Sequence, residues 1–189
     1  MEKAKRQSSI NTLQKEQFNI QIIYLFSPLG SYISVYLLTM RVVIQRVLHA
    51  QVTVKEKVIG KINHGLLILV GITHDDTIED VKWMSKKIVG LRIFDDENGV
   101  MNKSVKEEKG EILAISQFTL FASTKKGNRP SYIEAAKHEL SKPLYRQFCE
   151  TLGELMNSSI QQGEFGADMQ VELLNDGPVT ICIDSKHKE

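Results

Sequence analysis

A continuous apolar run, Leu66 to Ile72, lies between Gly65 and His74 near the middle of the chain. A run of this length without a charged side chain is typical of a β-strand that is buried on both faces. The rest of the chain must therefore supply packing on both sides of this strand. The chain has 189 residues, of which 42% are hydrophobic and 25% charged, so it is large enough to build that core as one ordinary soluble domain.

Further strands are predicted on both sides of this run. Three segments combine β-branched or apolar residues with short polar interruptions: Arg41 to Val54, Val58 to Ile62 and Ile112 to Leu120. Near the end of the chain, Met169 to Leu173 and Val179 to Ile183 each alternate apolar and polar residues. The turn Asn175 to Pro178 lies between them, which predicts a hairpin-like pair.

Two helices are predicted from their end signals and from apolar spacing. Asp76 and Glu79 have the spacing of a capping box, in which Asp76 accepts a hydrogen bond from a free helix amide and Glu79 reaches back. The apolar residues that follow have helical spacing: Ile78, Val81, Met84, Ile88 and Leu91. Ser141, followed by Pro143, opens a second helix with this stripe: Leu144, Phe148, Leu152 and Leu155. Many strands with two or three helices favour an α+β fold, a single domain of mainly antiparallel strands.

The distribution of charge changes near residue 40. No residue from Gln17 to Met40 is charged, a run of 24 residues that is long enough to span a bilayer. Polar residues, Pro28 and Gly30 interrupt it, and no small-residue cleavage site follows a compact apolar core, so a membrane or targeting role is the less favoured alternative. We predict an extension at residues 1–39 outside a folded domain at residues 40–189, with no membrane association.

Charge, cysteine and histidine patterns exclude several classes of protein. The net charge of +1 predicts no polyanionic partner by itself. Cys149 and Cys182 lack the spacing of a zinc site or a disulfide framework, so they indicate packing residues in a reducing cytosol. The five histidines have no ligand spacing, and no Walker loop, GxSxG or HExxH motif occurs. We expect neither a metal ion nor an organic cofactor.

Two short polar segments that interrupt the apolar strands remain as candidates for a functional site. Ser116, Gln117, Phe118 and Thr119 end a strand and place two hydroxyls, an amide and an aromatic ring where the chain leaves the core. An ordinary strand end, with Phe in the core, is the alternative. In the second segment, Asn175 to Thr180, Gly permits close approach to the backbone and Pro rigidifies the turn, although an ordinary turn is the simpler explanation. Neither motif alone specifies a function.

Together and in this order, the two motifs resemble those of the D-aminoacyl-tRNA deacylases, called D-tyrosyl-tRNA deacylases in older usage. The resemblance covers Met40 to about Asp184, and further segments carry it: Gln45-Arg46-Val47, Met101-Asn102, Gly127 to Pro130 and Gly163 to Val171. Residues 1–39 have no counterpart in the family pattern, which begins at the position of Met40.

The resemblance implies a cytoplasmic homodimer with active sites at the interface and a metal-independent pocket for the terminal adenosine and its esterified amino acid. It assigns four residues to the pocket of one subunit: Ser116, Gln117, Phe118 and Thr119. It places Gly177 and Pro178, joined by a cis peptide bond, in the pocket of the other subunit. Arg46 matches an arginine that supports this Gly-Pro element.

The implied reaction is ester hydrolysis, which releases free D-amino acid and tRNA before the D-residue enters translation. Backbone carbonyls of a rigid turn can occupy the space of an L side chain, which rejects L-aminoacyl-tRNA but leaves glycyl-tRNA as a substrate. The backbone amides of Phe118 and Thr119 are candidates for oxyanion stabilisation, and the ribose 2′-hydroxyl for assistance to water. A covalent acyl-Thr119 is the alternative mechanism, although the motif holds no evident base.

A basic loop supplies candidate contacts to tRNA phosphates: Lys125, Lys126 and Arg129. A merely solvated loop is the alternative at these three positions. Two other functions also remain open from the sequence. The first is a non-catalytic RNA-binding module, and the second is a thiol- or metal-dependent hydrolase.

Overall fold

The computed structural model describes residues 39–185 in full, together with the backbone of four short strands outside that range. The strands are β1 Asn19–Ile20, β2 Ile23–Phe26, β3 Tyr32–Val35, β4 Arg41–Val54, β5 Lys57–Ile62, β6 Gly65–Gly71, β7 Arg92–Asp95, β8 Met101–Ser104, β9 Glu111–Ser116, β10 Gln161–Gln162, β11 Gln170–Asp184 and β12 His187–Lys188. The helices are α1 Ile78–Val89 and α2 His138–Met156, and a short 3-10 helix covers Phe118–Phe121.

A six-stranded mixed sheet forms the centre of the domain. Its strand order is β10-β9-β6-β4-β11, and β5 pairs with the second half of β4. Strand β4 is antiparallel to β5, β6 and β11, whereas β9 is parallel to β6 and to β10. The prediction of a single α+β domain is confirmed as a mixed sheet with two α-helices, and the two parallel pairings qualify the expectation of mainly antiparallel strands.

The apolar run of β6 is buried on both faces of the sheet, as the sequence predicts. Leu66 and Ile68 join a core cluster that contains the buried faces of α1 and α2. Leu67 joins a second cluster on the opposite face, with residues of β4, β5 and β9. This second face is less covered towards β11, where the paired residues Leu69 and Val43 are half-buried and Cys182 is exposed.

Helix α1 begins one residue later than the predicted capping box. Thr77 is the N-cap residue, and its backbone N–H and hydroxyl donate to the Asp80 carboxylate at 2.9 and 2.8 Å. Asp76 instead accepts a hydrogen bond from the Thr73 backbone N–H at 2.8 Å. Asp76 and Glu79 have the same three-residue spacing as Thr77 and Asp80, so both pairs match the pattern of a capping box. In the structure Thr77 forms the cap, and Asp76 serves the preceding turn.

Helix α2 begins at His138, three residues before the predicted start at Ser141. The Ser141 hydroxyl donates to the Lys137 carbonyl at 2.9 Å, which is a bond within the first turns and not a cap. Pro143 therefore lies inside the helix, where it cannot donate to the carbonyl four residues earlier. The predicted apolar stripe does face the core, with Phe148 and Leu152 fully buried.

The predicted hairpin at the end of the domain is wrong. Residues 170–184 form one strand, β11, and both of its halves pair with β4. The register changes between Asn175, which pairs with Val47, and Thr180, which pairs with Gln45. The predicted turn is therefore a bulge in a continuous strand, because β4 is long enough to pair on both sides of it.

The predicted extension falls largely on residues outside the described ones. Thr39 and Met40 are described, and both are buried, with Met40 0% exposed. The Met40 carbonyl accepts a hydrogen bond from the Ser185 backbone N–H at 2.9 Å, so the two ends of the domain lie together. In the described part of the chain, no helix is both long and apolar enough to cross a membrane.

Candidate active site

The first motif occupies the end of β9 and the 3-10 helix that follows it. The Gln117 backbone N–H donates to the Val70 carbonyl at 2.7 Å, so the chain is held against β6 until it turns away. The turn passes very close to Gly71. A Cβ atom added at this glycine would lie 2.9 Å from the Phe121 ring and 3.3 Å from the Gln117 carbonyl oxygen. Gly71 thus permits the close approach that positions the motif, and sequence reasoning missed it.

A cavity of about 430 Å³ opens at this strand end. Its walls come from β6, β9, the start of α2 and the segment that leads into β11, and its site-facing residues include Ser116, Gln117, Phe118, Phe165, Ala167 and Met169. Three of the four predicted pocket residues therefore line the cavity, and Thr119 lies just outside its lining. Phe165, Ala167 and Met169 were not predicted as site residues, although their segment carries part of the family resemblance.

Phe118 is not a core residue, in contrast to the alternative of an ordinary strand end. Its side chain is 57% exposed, and its ring meets the Tyr132 ring edge-to-face at a centroid distance of 5.0 Å. An exposed aromatic ring that is held in place beside a cavity offers a surface for a nucleobase or another flat group.

The backbone and side chain of Thr119 have different surroundings. Its hydroxyl accepts a hydrogen bond from the Gln117 side-chain amide, which is not a base. The backbone amides of Phe118 and Thr119 donate to no group in the described part of the chain. Two adjacent free N–H groups next to a cavity can bind an anionic oxygen.

The second motif forms the bulge of β11. The residues between the two pairing registers are Asp176, Gly177, Pro178 and Val179, and the Gly177–Pro178 peptide bond is cis. The Asn175 side chain closes the bulge: its oxygen accepts from the Val179 N–H at 3.0 Å, and its NH₂ donates to the Val179 carbonyl at 3.2 Å. Gly177 and Pro178, the two residues of the cis peptide bond, are both exposed.

Arg46, the residue to which the resemblance assigns a supporting role, lies beside this bulge. Its guanidinium lies 2.9 Å from Asp176 and 3.5 Å from Asp95, and Nη1 donates to the Ile93 carbonyl at 2.7 Å. The Arg46 side chain is only 8% exposed, so these groups replace most of its contact with water. The sequence indicated Arg46 but not its partners, because they come from distant elements.

The structure does not bring the two motifs together within one chain. The register places Ser116 opposite Val70, Val70 opposite Val42 and Val42 opposite Ile183, whereas the bulge lies beside Arg46. Three strand spacings and four residues along β4 therefore separate the motifs, a distance of about 20 Å. Neither Gly177 nor Pro178 lines the cavity.

Comparison with known proteins identifies the family. The family model described as D-Tyr-tRNA(Tyr) deacylase matches residues 43–184. The chain belongs to the D-Tyr-tRNA(Tyr) deacylase family. Curated relatives named D-aminoacyl-tRNA deacylase from Bacteroides fragilis (strain YCH46) and Bacteroides thetaiotaomicron are 66% and 64% identical over 150 residues. Each match covers 79% of this chain and 100% of the relative.

Two solved structures share the fold of this chain. A chain titled c-Myc DNA Unwinding Element Binding Protein is 42% identical with a TM-score of 0.72, over 76% of this chain and 97% of that one. A probable eukaryotic D-amino acid tRNA deacylase has the same fold, with a TM-score of 0.69 at 17% identity, over 78% of this chain and 100% of that one. The predicted family and the predicted enzyme class, D-aminoacyl-tRNA deacylase, are confirmed.

In this family member, the predicted basic loop is a closed and exposed surface loop. Ser123 and Ser131 pair at its base through two backbone hydrogen bonds of 2.8 and 2.9 Å. Lys125, Lys126 and Arg129 are all exposed. Their contact with tRNA phosphates stays a prediction.

The two cysteines of this deacylase differ in their surroundings: the predicted packing role is confirmed for Cys149 and wrong for Cys182, which is exposed on the less covered sheet face. Cys149 is buried in the core, and burial raises the pKa of its thiol to about 12, so it is protonated at neutral pH. Nearby, the Tyr145 hydroxyl donates to the Ala114 carbonyl at 2.8 Å. Among the residues that the structure describes, no three His, Cys, Asp or Glu side chains are grouped to hold a metal ion.

Proposed function

We propose that the chain hydrolyses D-aminoacyl-tRNA in the cavity at the end of β9, and that Gly177 and Pro178 of a second copy exclude L-amino acids from that cavity. The observation that carries the two-copy arrangement is the separation of about 20 Å between the bulge and the cavity of the same chain. A bulge that pairs with β4 on both sides and lies at this distance cannot reach its own cavity. The less covered sheet face near Leu69 and Cys182 supports a homodimer, because it offers a surface for the second copy.

The cavity supports a hydrolytic mechanism that needs no nucleophilic side chain. Its volume of about 430 Å³ accommodates a nucleoside with a small esterified amino acid. Attack by water on the ester carbonyl produces an oxyanion, which the free N–H groups of Phe118 and Thr119 stabilise. The ribose 2′-hydroxyl of the substrate assists the water. Acyl transfer to Thr119 is the second candidate mechanism, which the Gln117 amide disfavours because it cannot take a proton from the hydroxyl.

Chirality is selected by exclusion. The exposed carbonyls of the bulge occupy the volume that an L side chain needs, while Arg46 and Asn175 hold them in place. Glycine has no side chain to exclude, so glycyl-tRNA is also hydrolysed. The exposed cations Lys125, Lys126 and Arg129 contact tRNA phosphates, and the reaction takes place in the cytoplasm.

A mixed-subunit experiment tests the two-copy arrangement. Pro178→Ala releases the ring constraint on the bulge and is expected to permit cleavage of L-Ala-tRNA. Ala167→Trp fills the cavity and is expected to abolish all cleavage by its own site. When Pro178→Ala chains are refolded with a ninefold excess of Ala167→Trp chains, nearly every functional cavity faces an intact bulge.

L-Ala-tRNA cleavage per Pro178→Ala chain should then fall about tenfold, while D-Ala-tRNA cleavage persists. Unchanged L-Ala-tRNA cleavage would show that each bulge serves its own chain, which contradicts the proposal. Pro178→Ala refolded with itself at equal concentration is the matched control.

A substrate series tests the exclusion model and the enzyme class together. Single-turnover hydrolysis of D-Ala-, Gly- and L-Ala-tRNA should be fast, measurable and negligible, respectively. If glycyl-tRNA is as inert as L-Ala-tRNA, the result would favour a site that attracts the D side chain over one that excludes the L side chain. Binding of D-Ala-tRNA without turnover would instead support the non-catalytic RNA-binding module.

A further inference from the structure

A second cavity of about 440 Å³ lies next to the candidate active-site cavity. The two cavities share His138 and Phe165 as lining residues. We propose that this second cavity holds the nucleotides immediately before the terminal adenosine of the substrate, with Lys142 and Arg146 at their phosphates. This inference rests on the proposed function, because it assumes that the terminal nucleoside and its ester occupy the first cavity.

The wall between the cavities is a fixed aromatic cluster. The Phe165 ring lies between two other rings, with centroid distances of 5.2 Å to His138 and 5.5 Å to Tyr145. Tyr145 is itself anchored by its hydrogen bond to the Ala114 carbonyl. A wall held from both sides keeps the cavities separate, so a bound chain must pass over it as an extended single strand.

The charges of the second cavity suit a strand of phosphates. Lys142 and Arg146 are one turn apart on the same face of α2, about 6 Å along the helix axis. The Arg146 side chain is 78% exposed, and its partner Glu150, at 3.6 Å, is also exposed. Such a pair contributes little energy, so the guanidinium is available to a phosphate. Glu139 is the acidic residue in the lining, and it lies at the start of the helix.

Flat and polar groups complete a nucleotide site beside these cations. Pro143 and Phe165 offer apolar surfaces to a base, and the Gln162 amide offers both a donor and an acceptor to a base edge. From the sequence, Pro143 was used only as a signal for a helix start. Its position inside α2 places its ring in the lining of the second cavity, where it can contact a base.

The test compares two substrates and two matched variants. Lys142→Ala/Arg146→Ala removes both proposed phosphate contacts. Lys82→Ala/Lys86→Ala is the control, because it removes two exposed cations with the same spacing from α1, and Lys82 also has an exposed acidic partner. The substrates are D-Tyr-tRNA and D-Tyr esterified to adenosine alone, which lacks the preceding nucleotides.

On D-Tyr-tRNA, the Lys142/Arg146 variant should show a KM about tenfold higher with kcat nearly unchanged. The slope of log(kcat/KM) against log[salt] should become shallower by about 1.4, as expected for two lost contacts to a single strand. On the adenosine ester, the two variants should match the unmodified protein. An equal loss on both substrates, or no loss on D-Tyr-tRNA, would overturn the proposal.

A binding measurement separates this inference from the proposed function. A single-stranded tetranucleotide with the tRNA 3′ sequence should bind the Lys142/Arg146 variant about tenfold more weakly, whereas adenosine should bind all three proteins equally. If the unmodified protein cleaves neither ester, the deacylase proposal fails, yet weaker tetranucleotide binding still supports the second cavity. Equal tetranucleotide binding by all three proteins would overturn the inference, whatever the activity.

Discussion

Replacing Arg46 with Met is expected to destabilise the domain and loosen the bulge at the same time. Met retains the apolar stem but removes the donor of the Ile93 carbonyl and the cation beside Asp176. A hydrogen bond from a charged donor contributes about 1.5–3 kcal/mol. The ion pair with Asp176, whose side chain is 32% exposed, contributes at most about 1 kcal/mol. The free energy of unfolding should therefore fall by about 1.5–4 kcal/mol.

Thermal and urea unfolding measure this loss. For a domain of this size the melting temperature should fall by roughly 3–16 °C, since each kcal/mol corresponds to roughly 2–4 °C. Arg92→Met is the control, because Arg92 is exposed and donates to the Asn102 carbonyl at the surface, so its loss should stay below about 1 kcal/mol. Arg46→Lys should recover part of the stability but not the selectivity. An ammonium group cannot donate hydrogen bonds to the Ile93 carbonyl and the neighbouring carboxylates with the geometry of a guanidinium.

Selectivity is the second measurement on the Arg46 variant. Well below its melting temperature, Arg46→Met should cleave L-Ala-tRNA faster than the unmodified protein, with D-Ala-tRNA cleavage changed less than threefold. Unchanged selectivity together with the predicted loss of stability would refute the role of Arg46 in holding the bulge. Equal stability losses in Arg46→Met and Arg92→Met would refute the energetic argument.

Four further outcomes are expected. Thr119→Ala should lower kcat by only about 2- to 10-fold, the worth of one hydrogen bond, and an acyl-enzyme trapped on Thr119 would instead establish the covalent mechanism. Gly71→Ala should lower kcat/KM by about tenfold or more, since its Cβ would displace the 3-10 helix that carries the motif; retained activity would contradict this packing argument. Replacing Cys149 and Cys182 with Ser, or adding a chelator, should leave turnover in place, and loss of turnover would indicate thiol or metal chemistry. A chain that begins at Met40 should be soluble, dimeric and as active as the full chain, and aggregation of that chain would give the extension a structural role.

The sequence predicted features that depend on local pattern. The run at β6 contains no charged side chain, so its burial on both faces follows from composition, and the stripe that includes Phe148 and Leu152 follows from helical periodicity. The two motifs and Arg46 were found through their resemblance to a family, because an isolated strand end or Gly-Pro turn has many ordinary explanations.

Features that depend on tertiary pairing were not predicted. The turn residues Asn175 to Pro178 have the composition of a hairpin, and only the length of β4 makes them a bulge. Parallel pairing of β9 with β6 depends on the path of the intervening chain, which apolar alternation does not encode. Gly71 and Phe165 were missed for a related reason, since their importance arises from what approaches them in space.

The proposed selection by backbone atoms requires that other residues position them, and in this domain β4 contacts both motifs. Arg41 donates to the Leu120 carbonyl at 2.8 Å and to Asp184 at 2.9 Å, which ties the 3-10 helix after β9 to β4 and β11. Arg46, five residues further along the same strand, holds the bulge. Because the cavity and the bulge of one chain serve different active sites in the proposed dimer, the central strand sets how far apart the two sites lie. We therefore expect variants of Arg46 to alter selection and variants of Arg41 to alter turnover, and the two sets of effects should add.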